Sequence, residues 1–165
     1  MCGLLVVNYR SYSSKTQFVD ALNSLNHRGP DETRIYNNEK LYFGFKRLSL
    51  QDLSLAGSQP MIDDEGNILC FNGEIYNFLE LKNLLQRQGE SFLSGSDSEV
   101  LLSCLRVLGI DKTLQMIDGM YAVCYFQKAT SSTFLFRDPL GMKPLFYSSQ
   151  EGGFVCASEV KAIIP

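Results

Sequence analysis

The cysteine at position 2 is the residue of this 165-residue chain best suited to nucleophilic chemistry. Because cysteine is small, we expect Met1 to be removed, which would leave Cys2 with a free α-amine. An α-amine has a pKa of about 7.7–8.0, so it can act as a general base near neutral pH toward the thiol of its own residue. Taken alone, Cys2 is better explained as an ordinary buried thiol. The catalytic interpretation therefore depends on the residues that accompany it.

Four further residues have the right chemistry to bind an amino acid and an oxyanion. Arg47 ends a predicted strand, and an arginine can bind a carboxylate through two parallel hydrogen bonds. Asp97 lies at a predicted helix start, where its carboxylate could hold an ammonium group. The Asn72 amide and the adjacent backbone N–H of Gly73 can together donate to one oxyanion. Each residue alone is better explained as a surface charge, a helix cap or a hairpin turn, and only their joint occurrence favours a site.

Runs of apolar residues predict the strands that must position these groups. The predicted strands are Cys2–Asn8, Leu41 running toward Arg47, Ile68–Phe71, Met120–Gln127, Thr133–Phe136, Leu145–Ser148 and Phe154–Ala157. Asn72-Gly73 is predicted to be a turn after the third of them, because Asn-Gly is a strong turn signal. The last four strands are short and separated by turn residues, which predicts antiparallel pairing.

Three helices are predicted between the strands. The first covers Thr16–Leu25, where apolar residues recur at helical spacing. The second begins after Asn77, whose side chain is predicted to cap it. The third begins at a capping box of Ser96 and Glu99 and ends at Gly109. Helices between two groups of antiparallel strands predict an α+β domain with sheets packed against helices.

The composition is that of one ordinary globular domain, predicted to span residues 1–165. Hydrophobic residues make up 45% of the chain and charged residues 20%, which excludes disordered and collagen-like chains. The net charge is −3 and no basic stripe is present, so we expect no nucleic-acid partner. No stretch approaches the ~20 apolar residues of a membrane helix, and no targeting segment is recognisable. We therefore expect a cytoplasmic protein without membrane association.

The cysteines do not form a metal-binding pattern. Their number is five, no C-x-x-C pair occurs, and His27 is the only histidine, so we expect no metal site. Each of the four cysteines beyond position 2 lies in an apolar run, and we predict that they are buried, reduced core thiols: Cys70, Cys104, Cys124 and Cys156.

Eight motifs occur in one order along the whole chain. They are Met1-Cys2-Gly3, His27-Arg28-Gly29-Pro30-Asp31, Arg47-Leu48-Ser49, Gln59-Pro60-Met61, Asn72-Gly73-Glu74-Ile75-Tyr76-Asn77, Ser96-Asp97-Ser98-Glu99, Arg137-Asp138-Pro139-Leu140-Gly141-Met142-Lys143-Pro144-Leu145 and Ala157-Ser158-Glu159-Val160-Lys161. Any one of them would be weak evidence. Together they resemble the class II glutamine amidotransferase domain of the asparagine synthetase family.

This resemblance implies an N-terminal nucleophile hydrolase fold, a four-layer αββα sandwich with two antiparallel sheets. It implies that Cys2 attacks the side-chain amide of glutamine and that Asn72 and Gly73 form the oxyanion hole. Arg47 would hold the α-carboxylate of the substrate and Asp97 its α-ammonium. The other residues implied to bind the substrate are Leu48, Leu50, Gln51 and Glu74. Loops 28–31 and 137–144 are expected to be mostly architectural.

The resemblance also implies partners outside this chain. Ammonia would pass to an ATP-dependent synthetase domain or subunit, and ATP and Mg²⁺ are expected there rather than in this domain, for which we expect no cofactor. The molecule that accepts the ammonia stays open between aspartate and other precursors. Whether the chain forms a homodimer is also open. A non-catalytic glutamine-sensing module is the alternative function. Gln51 and Ser58 depart from the family pattern, and the change at Gln51 is expected to alter the lining of the pocket rather than the chemistry.

Overall fold

The computed structural model describes residues 1–8, 14–49, 54–150 and 152–164, with the backbone alone at residue 150. Its strands are β1 (Gly3–Asn8), β2 (Glu32–Asn37), β3 (Leu41–Arg47), β4 (Met61–Ile62), β5 (Ile68–Ile75), β6 (Gly119–Gln127), β7 (Ser132–Arg137), β8 (Phe146–Gln150) and β9 (Gly153–Ala157). Its helices are α1 (Lys15–Asn23), α2 (Phe78–Arg87), α3 (Asp97–Val107) and α4 (Ile110–Met116). Short 3₁₀ turns cover Leu55–Gly57 and Val160–Ala162.

The strands form two antiparallel sheets. The first has the order β2-β3-β1-β9-β8 and the second the order β4-β5-β6-β7. β1 is the central strand of the first sheet, because it pairs with β3 on one side and with β9 on the other. β5 likewise lies between β4 and β6. The strand that begins directly after Cys2 and the strand that carries Asn72 are therefore each held by neighbours on both sides.

Three apolar clusters divide the molecule into four layers. The first cluster packs α1 against the outer face of the first sheet, through side chains such as Leu5, Val7, Phe18 and Leu22. The second fills the space between the sheets, and includes Leu4, Val6, Phe43, Phe45, Cys70, Cys124 and Cys156. The third packs α2 and α3 against the outer face of the second sheet, through Phe71, Leu81, Leu101, Leu105 and Tyr125. The order helix, sheet, sheet, helix confirms the αββα sandwich.

The predicted turn at Asn72-Gly73 is wrong. Both residues lie within β5, where Asn72 pairs with Ala122 and Gly73 with Tyr121 of β6. Gly73 is needed because the strands approach closely here: a Cβ at this position would lie 2.2 Å from the carbonyl oxygen of Met120. The glycine therefore marks a close contact between backbones, which sequence spacing does not distinguish from a turn.

The predicted cap of α2 is also wrong, although the helix begins where expected. Asn77 occupies the N-cap position, but its side chain makes no capping hydrogen bond. Its Nδ2 instead donates to the carbonyl of Met116 at 2.8 Å, and its Oδ1 accepts from the N–H of Asp118 at 2.9 Å. Asn77 thus ties the start of α2 to the last residue of α4 and to the segment that follows it.

The start of α3 is confirmed, with one change in the capping box. Ser96 Oγ accepts from the N–H of Glu99 at 3.3 Å, as expected. The Glu99 carboxylate does not return to Ser96 but accepts from the N–H groups of Leu93 and Ser94. Gly109 follows the helix with φ of 80°, a left-handed conformation that suits glycine. The sequence patterns missed the exposed edge strand β2, the two-residue β4 and the short helix α4.

The four core cysteines are buried and unbridged, as predicted. Within the described ranges no helix is long and apolar enough to cross a membrane. No group of three or more His, Cys, Asp or Glu side chains in the same part of the chain is arranged to hold a metal ion.

Candidate active site

The candidate residues meet at one end of the space between the two sheets. Alternate residues of a strand face the same side, so a polar residue two positions from a core residue continues the core face. Three predicted site residues lie two positions from residues of the cluster between the sheets: Cys2 from Leu4, Arg47 from Phe45 and Asn72 from Cys70. The apolar core between the sheets thus ends in a polar site to which both sheets contribute.

The Cys2 thiol lies against the backbone of Leu48. Its Sγ accepts from the Leu48 N–H at 3.4 Å and lies 3.7 Å from the Leu48 carbonyl oxygen. Burial raises the pKa of this thiol, and the Leu48 hydrogen bond and the charges of the N-terminus, Arg47 and Arg28 act against that rise. Because a thiol with a raised pKa is mostly protonated at neutral pH, it needs a base to become a nucleophile. Met1 is attached in this structure, so the Cys2 nitrogen is an amide.

Arg28 holds the backbone of Cys2 in place. Its Nε donates to the Cys2 carbonyl and its Nη1 to Glu159, each at 2.9 Å. Glu159 also pairs with His27 at 2.8 Å and with Lys161 at 3.1 Å. Burial raises the pKa of the Glu159 carboxyl, but the hydrogen bonds from Arg28, His27 and Lys161 outweigh it and hold the pKa at about 2. Arg28 therefore does more than shape its loop, because it connects a stable carboxylate to the candidate nucleophile.

Arg47 is buried and oriented by a group of polar partners. Its Nη1 donates to Glu32 at 3.2 Å, to the carbonyl of Ser54 at 3.0 Å and to the hydroxyl of Ser58 at 3.1 Å. Ser58 in turn donates to the Glu32 carboxylate. A guanidinium is a rigid planar fork, so partners at this one nitrogen orient all of its N–H groups. Ser58, which the resemblance indicated as a departure from the family pattern, thus belongs to the support of Arg47.

Glu32 is a residue of this site that the sequence patterns missed. It lies at the start of β2, beside Arg47 in the register of β2 and β3. Its neighbour Asp31 accepts from the N–H of Ser49 at 2.8 Å and so holds the segment that follows Arg47. No local signal distinguishes these carboxylates from surface charges, because their partners come from the pairing of two strands.

Asn72 provides a buried hydrogen-bond donor that faces no acceptor in the described part of the chain. The residue is 2% exposed, and its Nδ2 has no hydrogen-bond partner among the residues that the structure describes. An unsatisfied buried donor is costly, on the order of 1–3 kcal/mol, and calls for a functional explanation. Asn72 and Gly73 line the same cavity as Cys2. An amide donor in a cavity that a thiol also lines is one of the groups that an oxyanion hole requires.

Asp97 lies across the site, at the first residue of α3. Its Oδ2 accepts from the N–H of Ile75 on β5 at 2.9 Å, which ties the helix to the strand that carries Asn72. Burial and the nearby charge of Glu74 raise the pKa of Asp97 to about 6, although hydrogen bonds from Ile75 and Ser98 oppose the rise. A partly desolvated carboxylate of this kind binds an ammonium group strongly when it is ionised.

One cavity of ≈ 160 Å³ brings these groups together. Of the predicted residues, it is lined by Cys2, Arg47, Leu48, Asn72, Gly73, Glu74 and Asp97. Leu50 and Gln51, also predicted to bind substrate, lie outside the described residues. The cavity is further lined by residues not predicted for it, among them Phe45, Gln59, Ser98, Met120 and Lys143. With a cation at Arg47 and an anion at Asp97, it suits a zwitterionic amino acid.

Residues 1–165 match the family profile described as glutamine amidotransferase domain. This chain belongs to that family. Asparagine synthetase (glutamine-hydrolyzing) 1 of Bacillus subtilis is 34% identical to the domain over 169 residues, and a putative asparagine synthetase (glutamine-hydrolyzing) 2 of Methanocaldococcus jannaschii is 33% identical over 184 residues. Each comparison covers 99% of this chain but only 27% and 35% of the respective relative. The amidotransferase domain therefore spans about a third or less of the curated relatives it matches.

Solved structures confirm the fold. A glutamine phosphoribosylpyrophosphate amidotransferase from B. subtilis, complexed with ADP and GMP, superposes with a TM-score of 0.74 at 22% sequence identity. The comparison covers 98% of this chain and 42% of that one. A structure described as the allosteric regulatory enzyme of purine biosynthesis gives a TM-score of 0.71, also at 22% identity. The sandwich of two antiparallel sheets is thus also the fold of a known amidotransferase.

Proposed function

We propose that this domain hydrolyses L-glutamine to glutamate and ammonia through a glutamyl thioester on Cys2. The observation that carries the proposal is the Asn72 Nδ2, which has no hydrogen-bond partner among the described residues and lies in the cavity that Cys2 also lines. The α-carboxylate of glutamine would bind Arg47 and its α-ammonium Asp97. These two opposite charges fix one end of the substrate, and the length of its side chain then brings the amide to the thiol.

The chemistry needs a base that this chain acquires when Met1 is removed. The freed α-amine of Cys2 takes the thiol proton while Sγ bonds to the amide carbon of the substrate. The carbonyl oxygen becomes an oxyanion that accepts from Asn72 Nδ2 and the Gly73 N–H. The C–N bond then breaks, and the protonated amine gives its proton to the nitrogen, which leaves as ammonia. Water attacks the remaining thioester, and glutamate and the free thiol are released.

The ammonia would serve an ATP-dependent synthetase domain or subunit. The relatives named asparagine synthetase are about three or more times longer than their matched part, which supports a partner domain of that kind. ATP and Mg²⁺ would then bind to the synthetase part. Aspartate is the acceptor favoured by the names of these relatives.

Covalent labelling tests the proposal without any partner. An electrophilic diazoketone analogue of glutamine should add once to the processed domain, and intact mass should show loss of Met1 and a single adduct. Cys2→Ala should show no adduct, whereas the matched variant Cys104→Ala should label like the parent, because Cys104 lies in a helix-packed core. Glutamine binding without any labelling of a chain that has lost Met1 would favour the sensing module instead.

The affinity for glutamine is expected to depend on the ionisation of Asp97. The raised pKa of about 6 means that Asp97 is ionised above pH 6 and becomes protonated as the pH falls through that value. A neutral carboxyl attracts the α-ammonium poorly, so glutamine should bind about tenfold more weakly at pH 5 than at pH 7. Calorimetry on the Cys2→Ala variant measures this binding without turnover and without titration of the thiol.

Asp97→Asn is the control for this pH dependence. The asparagine keeps an oxygen that can accept from the Ile75 N–H but carries no charge, so it should bind glutamine weakly at both pH values. If its affinity fell tenfold between pH 7 and pH 5 as in the parent, another group would be responsible.

A further inference from the structure

Gln59 has a buried side chain that makes hydrogen bonds to two different elements. The residue is 6% exposed. Its Oε1 accepts from the N–H of Phe71 at 2.6 Å, and its Nε2 donates to the carbonyl of Phe71 at 3.0 Å. The same Nε2 donates to the hydroxyl of Ser98 at 3.1 Å. One amide thus joins the strand β5 to the first turn of α3.

The contact with Phe71 continues the pairing of β4 with β5. Met61 pairs with Leu69 in an antiparallel register, so the next position of the same kind would bring Gln59 opposite Phe71. The Gln59 side chain instead makes hydrogen bonds to both the N–H and the carbonyl of Phe71. It thus replaces the main-chain pairing that would continue from β4 to β5 at this position. Phe71 directly precedes Asn72, so this contact fixes the strand at the oxyanion donors.

The contact with Ser98 fixes the opposite side of the cavity. Ser98 follows Asp97 in α3, and Asp97 accepts from the Ile75 N–H of β5. The helix start is therefore held to β5 at two points, one on each side of the segment Asn72–Glu74. Moving either point would change the distance between the oxyanion donors and the carboxylate of Asp97.

We propose that Gln59 is a positioning residue of the glutamine site, which sets the span between the Asn72 amide on β5 and Asp97 on α3. This span has to match the distance between the side-chain amide and the α-ammonium of the substrate. The inference rests on the proposed function of the cavity. In this role, Gln59 and Ser98 determine how strongly the site prefers a substrate with an α-ammonium over one without it.

Two substrates separate this role from general damage to the fold. Glutamine uses both ends of the span, whereas glutaric acid monoamide has the same chain and amide but no α-ammonium. Ser98→Ala removes the contact with α3 and leaves the two hydrogen bonds to Phe71. We expect the ratio of kcat/KM for glutamine over that for the monoamide to fall on the order of tenfold, mainly through KM for glutamine.

Ser103→Ala is the matched control, because Ser103 is a second buried serine of the same helix. It should leave the ratio unchanged. Gln59→Met, which also removes the contacts with Phe71, should lower kcat for both substrates as well as the ratio. Thermal unfolding identifies any variant that fails to fold.

The outcomes distinguish a failure of the positioning role from a failure of the proposed function. An unchanged ratio in Ser98→Ala, or equal losses for both substrates, would overturn the positioning role while leaving glutamine hydrolysis intact. A processed parent domain that hydrolyses neither substrate would instead contradict the proposed function.

Discussion

Replacing Cys2 by alanine should abolish glutamine hydrolysis, with kcat lowered on the order of 10⁶, as when other hydrolases lose their nucleophile. The reason is that no other thiol can take its place. The four remaining cysteines are buried in apolar surroundings, where burial raises the pKa of Cys70 well above the ordinary value and that of Cys104 to about 12. Release of glutamate and ammonia from glutamine measures the loss directly.

Glutamine binding should survive in the Cys2→Ala variant, because Arg47 and Asp97 stay in place. A chain that retains Met1 should lose turnover to a similar degree, since the Cys2 nitrogen is then an amide and cannot accept the thiol proton. The mechanism would be wrong if Cys2→Ala hydrolysed glutamine at the parent rate, or if the Met1-bearing chain were as active as the processed one.

Replacing Asn72 by alanine is expected to lower kcat about 10²–10³-fold with little change in KM. The Asn72 amide would donate to the oxygen as negative charge develops on it, so its contribution appears in the transition state rather than in the bound substrate. Ammonia release at saturating glutamine gives kcat, and a titration of glutamine gives KM.

The same substitution should not destabilise the domain, which distinguishes it from core substitutions. The Asn72 amide nitrogen has no hydrogen-bond partner in the described part of the chain, so alanine removes a desolvated donor rather than a native hydrogen bond. The midpoint of thermal unfolding should stay the same or rise. A lower midpoint together with a proportional loss of binding would mean that Asn72 serves the fold and not the oxyanion.

Much of the fold could be predicted because its strands and helices carry local signals. Alternating or continuous apolar residues mark β1, β3, β6, β7 and β9, and the Ser96 cap marks the start of α3. The edge strand β2 escaped detection because most of its residues are exposed and polar, so no buried face shows in its sequence. The prediction of a turn at Asn72-Gly73 was wrong for a related reason. Glycine is required there by the carbonyl of Met120 on a neighbouring strand, which the local sequence does not show.

The sequence by itself determined the chemistry that this domain can perform. A cysteine at position 2, an arginine, an aspartate and an Asn-Gly pair supply a thiol, a cation, a carboxylate and hydrogen-bond donors in any fold, whereas burial in this fold raises the pKa of Cys2 and of Asp97. Their order along the chain was enough to indicate the family, and with it the αββα sandwich.

Only the tertiary structure decided how these groups are supported. Arg28 reaches both Cys2 and Glu159, Glu32 orients Arg47, and Gln59 joins β5 to α3. The hydrogen bond between Arg28 and Glu159 joins residues 131 positions apart. Such contacts leave no periodic trace in the sequence, because they exist only where strands from different parts of the chain pair and helices pack across them.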